Sequence, residues 1–168
     1  MVIEFKLNER KAVEAVLWLI QKGEANMYHI WKMLFEADKY HLNKYERPVT
    51  GDTYVAMEYG TVPNWLYGKA CKQIGIGFYK AGKSLFAERN YIGKFFSESD
   101  IEALEMGYKK YANLDFNSVR DINHEEPAWQ KNWAKRGILK CVDIPFEDIV
   151  EDALLREDLK ETARLTVI

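Results

Sequence analysis

Residues 37–63 read ADKYHLNKYERPVTGDTYVAMEYGTVP, and the period of the pattern changes halfway along. Up to Tyr45 the stretch continues a helical stripe that begins with Met27, Ile30, Trp31, Leu34 and Phe35. Carried forward at the same spacing, that face reaches Asp38, His41 and Leu42, so a carboxylate and an imidazole fall on the side that should be inside. From Arg47 the run Arg-Pro-Val-Thr-Gly-Asp is turn chemistry, and Pro48 forbids the helix from continuing. Residues 53–59 then alternate, with β-branched and aromatic side chains, which predicts a short strand. Gly60 follows in a turn, and Pro63 suits the first turn of a further helix running to about Ala70. A buried carboxylate left unsatisfied costs several kcal/mol. Arg47, the hydroxyls of Thr50 and Tyr54, and the backbone N–H groups of the 50–53 turn are close enough in sequence to satisfy Asp38. Asp38 is therefore read as the anchor that ties the irregular loop to its helix.

On the N-terminal side, Asn8 caps a helix whose body, AVEAVLWLI, is apolar all round except at Glu14. Such a helix is central, buried by its neighbours. Gly23 ends it and Asn26 caps the next. On the C-terminal side, residues 75–82 read as a glycine-rich connection, and residues 86–96 have the composition of a small hairpin. Ser97 caps a helix with Ile101, Leu104 and Tyr108 on one face; Phe116, Val119 and Ile122 mark another. Pro127 opens the next, with Trp129 and Trp133 one turn apart. Beyond Pro145 the tail is acidic with a helical pattern, and Ile149, Ala153 and Leu154 share one side. The expected fold is mainly α, a compact single-domain helical fold with a small β-hairpin or short antiparallel sheet. Residues 1–140 form the helical domain, and residues 141–168 form an acidic helical extension packed on it.

The bulk numbers exclude several classes. A chain of 168 residues, 48% hydrophobic, can bury one core without staples and is not a disordered segment. A formal net charge of −2, with every run of Lys and Arg interrupted by acids, offers no basic face, and no nucleic-acid partner is expected. Cys71 and Cys141 lie in no C-x-x-C pattern and read as reduced thiols of a cytoplasmic protein. No run approaches the ~20 apolar residues of a membrane span. The opening residues, MVIEFKLNERK, lack the apolar region of a signal peptide, so no membrane association is expected.

Two constellations suggest chemistry. Residues 77–84, GFYKAGKS, satisfy the phosphate-cradling pattern G-x-x-x-x-G-K-[ST]. A working loop of that kind follows an apolar strand and opens a helix, whereas the preceding residues 69–76, KACKQIGI, are polar and no helical stripe follows. We read it as a connection, with no cofactor. Asp38, His41, His124 and Glu125 compose a conceivable metal or acid–base set, since Asp-x-x-His places both side chains on one helix face. The anchor role explains Asp38 more simply, so neither catalytic residues nor metal ligands are assigned. Trp18 and Trp31 belong to the core; Trp65 and Trp133 are expected at the surface, where aromatics favour protein contacts.

The 37–63 block resembles the Panacea domain family, SocA-like antitoxins also described as phage-associated proteins. The matching residues are Asp38, His41, Leu42, Arg47, Pro48, Thr50, Gly51, Asp52, Tyr54, Ala56, Met57, Tyr59, Gly60, Val62 and Pro63. Ser97-x-x-Asp100, and His124-Glu125 with Trp129, resemble later blocks of the family, so the likeness runs from about residue 8 to about residue 137. Two positions depart from the pattern. Glu46 replaces a usual Gly, implying a less strained loop, and Thr61 replaces a proline, implying a less rigid turn at Gly60. The resemblance implies an antitoxin that neutralises a cognate toxin by direct protein–protein binding. It also implies an alternative, an adaptor that delivers a bound toxin to a AAA+ protease; a small metal- or nucleotide-dependent enzyme is the remaining alternative. The matched motif and a nearby aromatic, Trp65, give the candidate partner-binding positions: Asp38, His41, Arg47, Pro48, Thr50, Gly51, Tyr54, Gly60, Pro63, Trp65, His124 and Trp129.

Overall fold

Asn8 accepts the Lys11 N–H on its side chain and starts α1 (Glu9–Lys22), which ends at Gly23 with φ 128°. Asn26 likewise accepts from Tyr28 and His29 and starts α2 (Met27–Tyr45). Both starts follow from the asparagine caps. The computed structural model that shows this describes residues 2–72 and 75–166. Gln73 and Ile74 of the run before GFYKAGKS, and Val167 and Ile168 of the extension, lie outside the described residues.

α1 is buried continuously from Ala12 to Leu19, Glu14 included. Glu14 is no polar exception on an outer face: its carboxylate meets Arg89 Nη2 at 2.5 Å and accepts the Ile92 N–H at 2.6 Å. α2 buries the predicted face, with Ile30, Trp31, Leu34, Phe35, Asp38, His41 and Leu42 all inside. It ends at Glu46, whose φ of 66° is left-handed. The expectation of a relaxed loop at Glu46 is thus corrected: a Cβ in that region crowds the carbonyl, and glycine would sit there more easily.

β1 (Tyr54–Met57) and β2 (Gly60–Pro63) form an antiparallel hairpin with Tyr54 opposite Pro63. Pro63 therefore closes a strand rather than opening a helix. α3 (Asn64–Lys72) begins one residue later, because Asp52 accepts the Trp65 and Leu66 N–H groups at 2.9 and 3.0 Å. The second hairpin, β3 (Phe78–Ala81) and β4 (Ser84–Ala87), lies earlier than the 86–96 segment where it was expected. Gly82, at φ 62°, supplies the positive φ that a two-residue hairpin turn needs at its first central position.

Ser97 and Asp100 form a reciprocal capping box that starts α4 (Glu98–Tyr111). Gly107 lets α4 lie directly against α2, since a Cβ there would overlap the Met33 carbonyl oxygen. α5 (Phe116–His124) and α6 (Pro127–Trp133) follow. β5 (Val142–Ile144) then pairs with the free edge of β1, Tyr54 opposite Ile144, a strand that sequence reading missed. α7 (Phe146–Ile149) and α8 (Ala153–Thr166) complete the chain. Leu155 and Leu159, not Ala153 and Leu154, form the inward side of α8; Leu154 is 78% exposed. The fold is mainly α with small antiparallel sheets. α2 runs between its two apolar clusters, giving Trp31 and Leu34 to one and Phe35 and Leu42 to the other.

Candidate functional site

Three donors converge on Asp38. Oδ1 accepts the Thr50 N–H at 2.8 Å, and Oδ2 accepts the hydroxyls of Thr50 at 2.7 Å and Tyr54 at 2.6 Å. Burial pushes the Asp38 carboxyl above its ordinary pKa, against the pull of those bonds, and raises the Tyr54 phenol as well. Arg47 is not a partner of Asp38. It reaches across to α4, with Nη1 3.1 Å from Asp100 Oδ1 and Nη2 3.3 Å from Ser97 Oγ. Lys11 completes that ion cluster at 2.7 Å from Asp100. Burial alone would raise Asp100, but Lys11, the Ser97 backbone and Arg47 hold its carboxyl below the ordinary value.

His41 sits between the two anchors. Its Nδ1 is 2.6 Å from the Arg47 carbonyl, which can only accept, so Nδ1 carries the proton. Burial lowers the ring's pKa, and the neutral ring then accepts from Ser99 Oγ at Nε2, 2.9 Å away. Pro48, Thr50 and Gly51 are buried beside it, and a Cβ at Gly51 would overlap the Lys6 carbonyl. These residues hold the loop, and with Arg47 and Lys11 they also line a shallow surface pocket of about 270 Å³.

A second clamp grips the β1–β2 hairpin. Trp129 Nε1 donates to the Met57 carbonyl at 2.8 Å, and His124 Nε2 donates to the Glu58 carbonyl at 2.9 Å. The two rings stack with centroids 4.0 Å apart. Asn123 Oδ1 accepts the Thr61 N–H at 2.8 Å, a bond that a proline in that position would not make. Gly60, at φ 122°, has no room for a Cβ against Asn123. Asp38, His41 and His124 are thus committed to separate partners, Glu125 is exposed, and no group of three or more metal-ligating side chains is assembled among the described residues. GFYKAGKS folds as a strand–turn–strand hairpin, which has no helix N-terminus to face a phosphate.

The feature that sequence reading missed is a cleft of about 470 Å³ beside the β1–β2 hairpin, lined by Tyr28, Trp31, Lys32, Met57, Tyr59 and Trp133 among others. Lys32 has no exposed surface. Its Nζ donates to the Thr61 carbonyl at 2.8 Å and lies 4.0 Å from the Tyr28 ring centre. Burial pulls its pKa down to about 7. A signal was present, since Lys32 stands four residues after Tyr28 and three before Phe35, on one helical face. Trp65 and Trp133, expected at the surface, are half-buried, Trp133 against the cleft and Trp65 against the core. Exposed apolar side chains near the cleft include Leu139 (58%), which lines it, and its chain neighbour Ile138 (100%), while Tyr59, also in the lining, is in ring contact with the exposed Phe116.

The fold and its two clamps define a small helical scaffold that fixes one hairpin and leaves an aromatic cleft with an apolar rim. The family model described as antitoxin SocA-like, Panacea domain, matches residues 30–130. The chain belongs to that family. No curated protein and no solved structure gives a significant match. No helix among the described residues is long and apolar enough to cross a membrane.

Proposed function

We propose that this chain is an antitoxin that neutralises a cognate toxin by direct binding, without chemistry of its own. The match to the SocA-like antitoxin model over residues 30–130 carries this reading. The contact face we assign is the rim of the aromatic cleft: Tyr59, Phe116, Ile138 and Leu139. Adjacent exposed apolar and aromatic side chains of this kind are enriched where proteins bind one another. Asp38, Thr50, Tyr54 and Trp129 support that face from inside and do not touch the partner.

Co-expression with the protein encoded beside it tests the reading, through recovery of growth and capture of a complex. A toxin that stays lethal, with no complex formed, overturns it. Repeating the rescue in a strain with a catalytically dead AAA+ protease separates masking from delivery. Masking predicts undiminished rescue and an unchanged toxin level.

A further inference from the structure

Two buried side chains at the cleft keep N–H groups without acceptors. Lys32 carries three N–H bonds on a fully buried side chain, and its one hydrogen-bond acceptor is the Thr61 carbonyl. Trp31 is 2% exposed and lines the same cleft, and its indole N–H has no partner. Other lysines packed into this molecule have carboxylate mates: Lys11 has Asp100 and Lys39 has Glu126, each at 2.7 Å. Lys32 has none among the described residues, and Glu58, on the same cleft, is exposed and makes no ion pair with it. A buried lysine without a counter-ion costs the fold stability, and such a group lining a cleft marks a candidate site.

We propose that the cleft binds a small carboxylate with an apolar body, its anionic head meeting Lys32 Nζ and Trp31 Nε1. Of the two lysines that line the cleft, Lys32 is buried and Lys140 is exposed, so the interior offers one cation, matching a single negative charge. Apart from the exposed Glu58 and Lys140, the remaining lining, including Met27, Met57, Val62 and Trp133, is apolar or aromatic and accommodates a short aliphatic chain or a phenyl ring. The volume of about 470 Å³ lies within the usual range for small-ligand sites, roughly 300–1,000 Å³.

The test uses the purified chain alone, with no toxin, so its failure is separate from failure of the antitoxin reading. Octanoate and 4-phenylbutanoate are titrated against octanamide and 4-phenylbutanamide, by calorimetry and by the fluorescence of the cleft tryptophans. The acids should bind about ten- to a hundredfold more tightly than the amides, the value of a charge-assisted hydrogen bond. Lys32→Met, checked for folding by its thermal midpoint, should bind acid and amide alike. Equal binding of acid and amide by the unaltered chain, or no binding of either, overturns the proposal whether or not the variant folds. So does a folded Lys32→Met variant that keeps the preference.

Discussion

Asp38 and Thr50 are joined twice, backbone N–H to Oδ1 at 2.8 Å and hydroxyl to Oδ2 at 2.7 Å. This pair sets the path of the chain as it leaves α2, and Tyr54 joins at Oδ2 as the first strand begins. In Asp38→Asn, one oxygen becomes an NH₂ that faces donors. Unfolding in urea should show a loss of about 2–4 kcal/mol, since buried donors are left without acceptors. Toxin capture should fall only in proportion to the folded fraction. A loss of capture at unchanged stability would place Asp38 in the interface.

Glu46→Gly should stabilise the protein. Glu46 holds φ 66° at the end of α2, and relieving a left-handed Cβ gains roughly 1–2 kcal/mol, partly offset by the freer unfolded glycine. A net gain of about 0.5–1 kcal/mol would raise the thermal midpoint by a few degrees. A lower midpoint would show that the Glu46 side chain makes a compensating contact.

Lys32 gives the stability curve a slope in the alkaline range. The unfolded chain keeps this proton up to about pH 10.5, whereas the folded chain releases it near pH 7. Between those values the unfolded state binds more protons, so this group's contribution to stability rises with pH and is lost as pH falls towards 7. Lys32→Met should flatten that slope. At pH 7 it should also stabilise the fold by roughly 3–5 kcal/mol, the scale of the shift. Denaturant midpoints between pH 7 and pH 10 measure both effects.

Ile138 and Leu139 are 100% and 58% exposed, so Ile138→Ser with Leu139→Ser should leave the thermal midpoint nearly unchanged. If this rim meets the toxin, the same double variant should bind it at least about tenfold more weakly, as expected for loss of apolar interface anchors. Growth rescue at limiting expression should fail with it. Full rescue would move the interface elsewhere on the molecule.

The sequence alone carried the local relationships. Asn8, Asn26 and Ser97 cap helices as their side chains dictate, and Thr50 and Tyr54 reach Asp38 from 12 and 16 residues away. The stripe from Met27 to Leu42 announced which face of α2 is buried, because a period of 3.6 residues leaves little choice once so many apolar positions agree. It also showed the 37–63 block that marks the family. Tertiary structure decided the rest. Arg47 goes to Asp100, 53 residues away, and β5 finds the edge of β1; neither pairing has a periodic signature in sequence. Lys32 shows the reason most plainly. An exposed lysine and a buried one are written with the same letter. Only the Thr61 carbonyl and the Tyr28 ring above it, with no carboxylate mate, distinguish this lysine from a solvated one. The 37–63 block identifies the protein's kind, and packing against it creates the cleft where we place its binding chemistry.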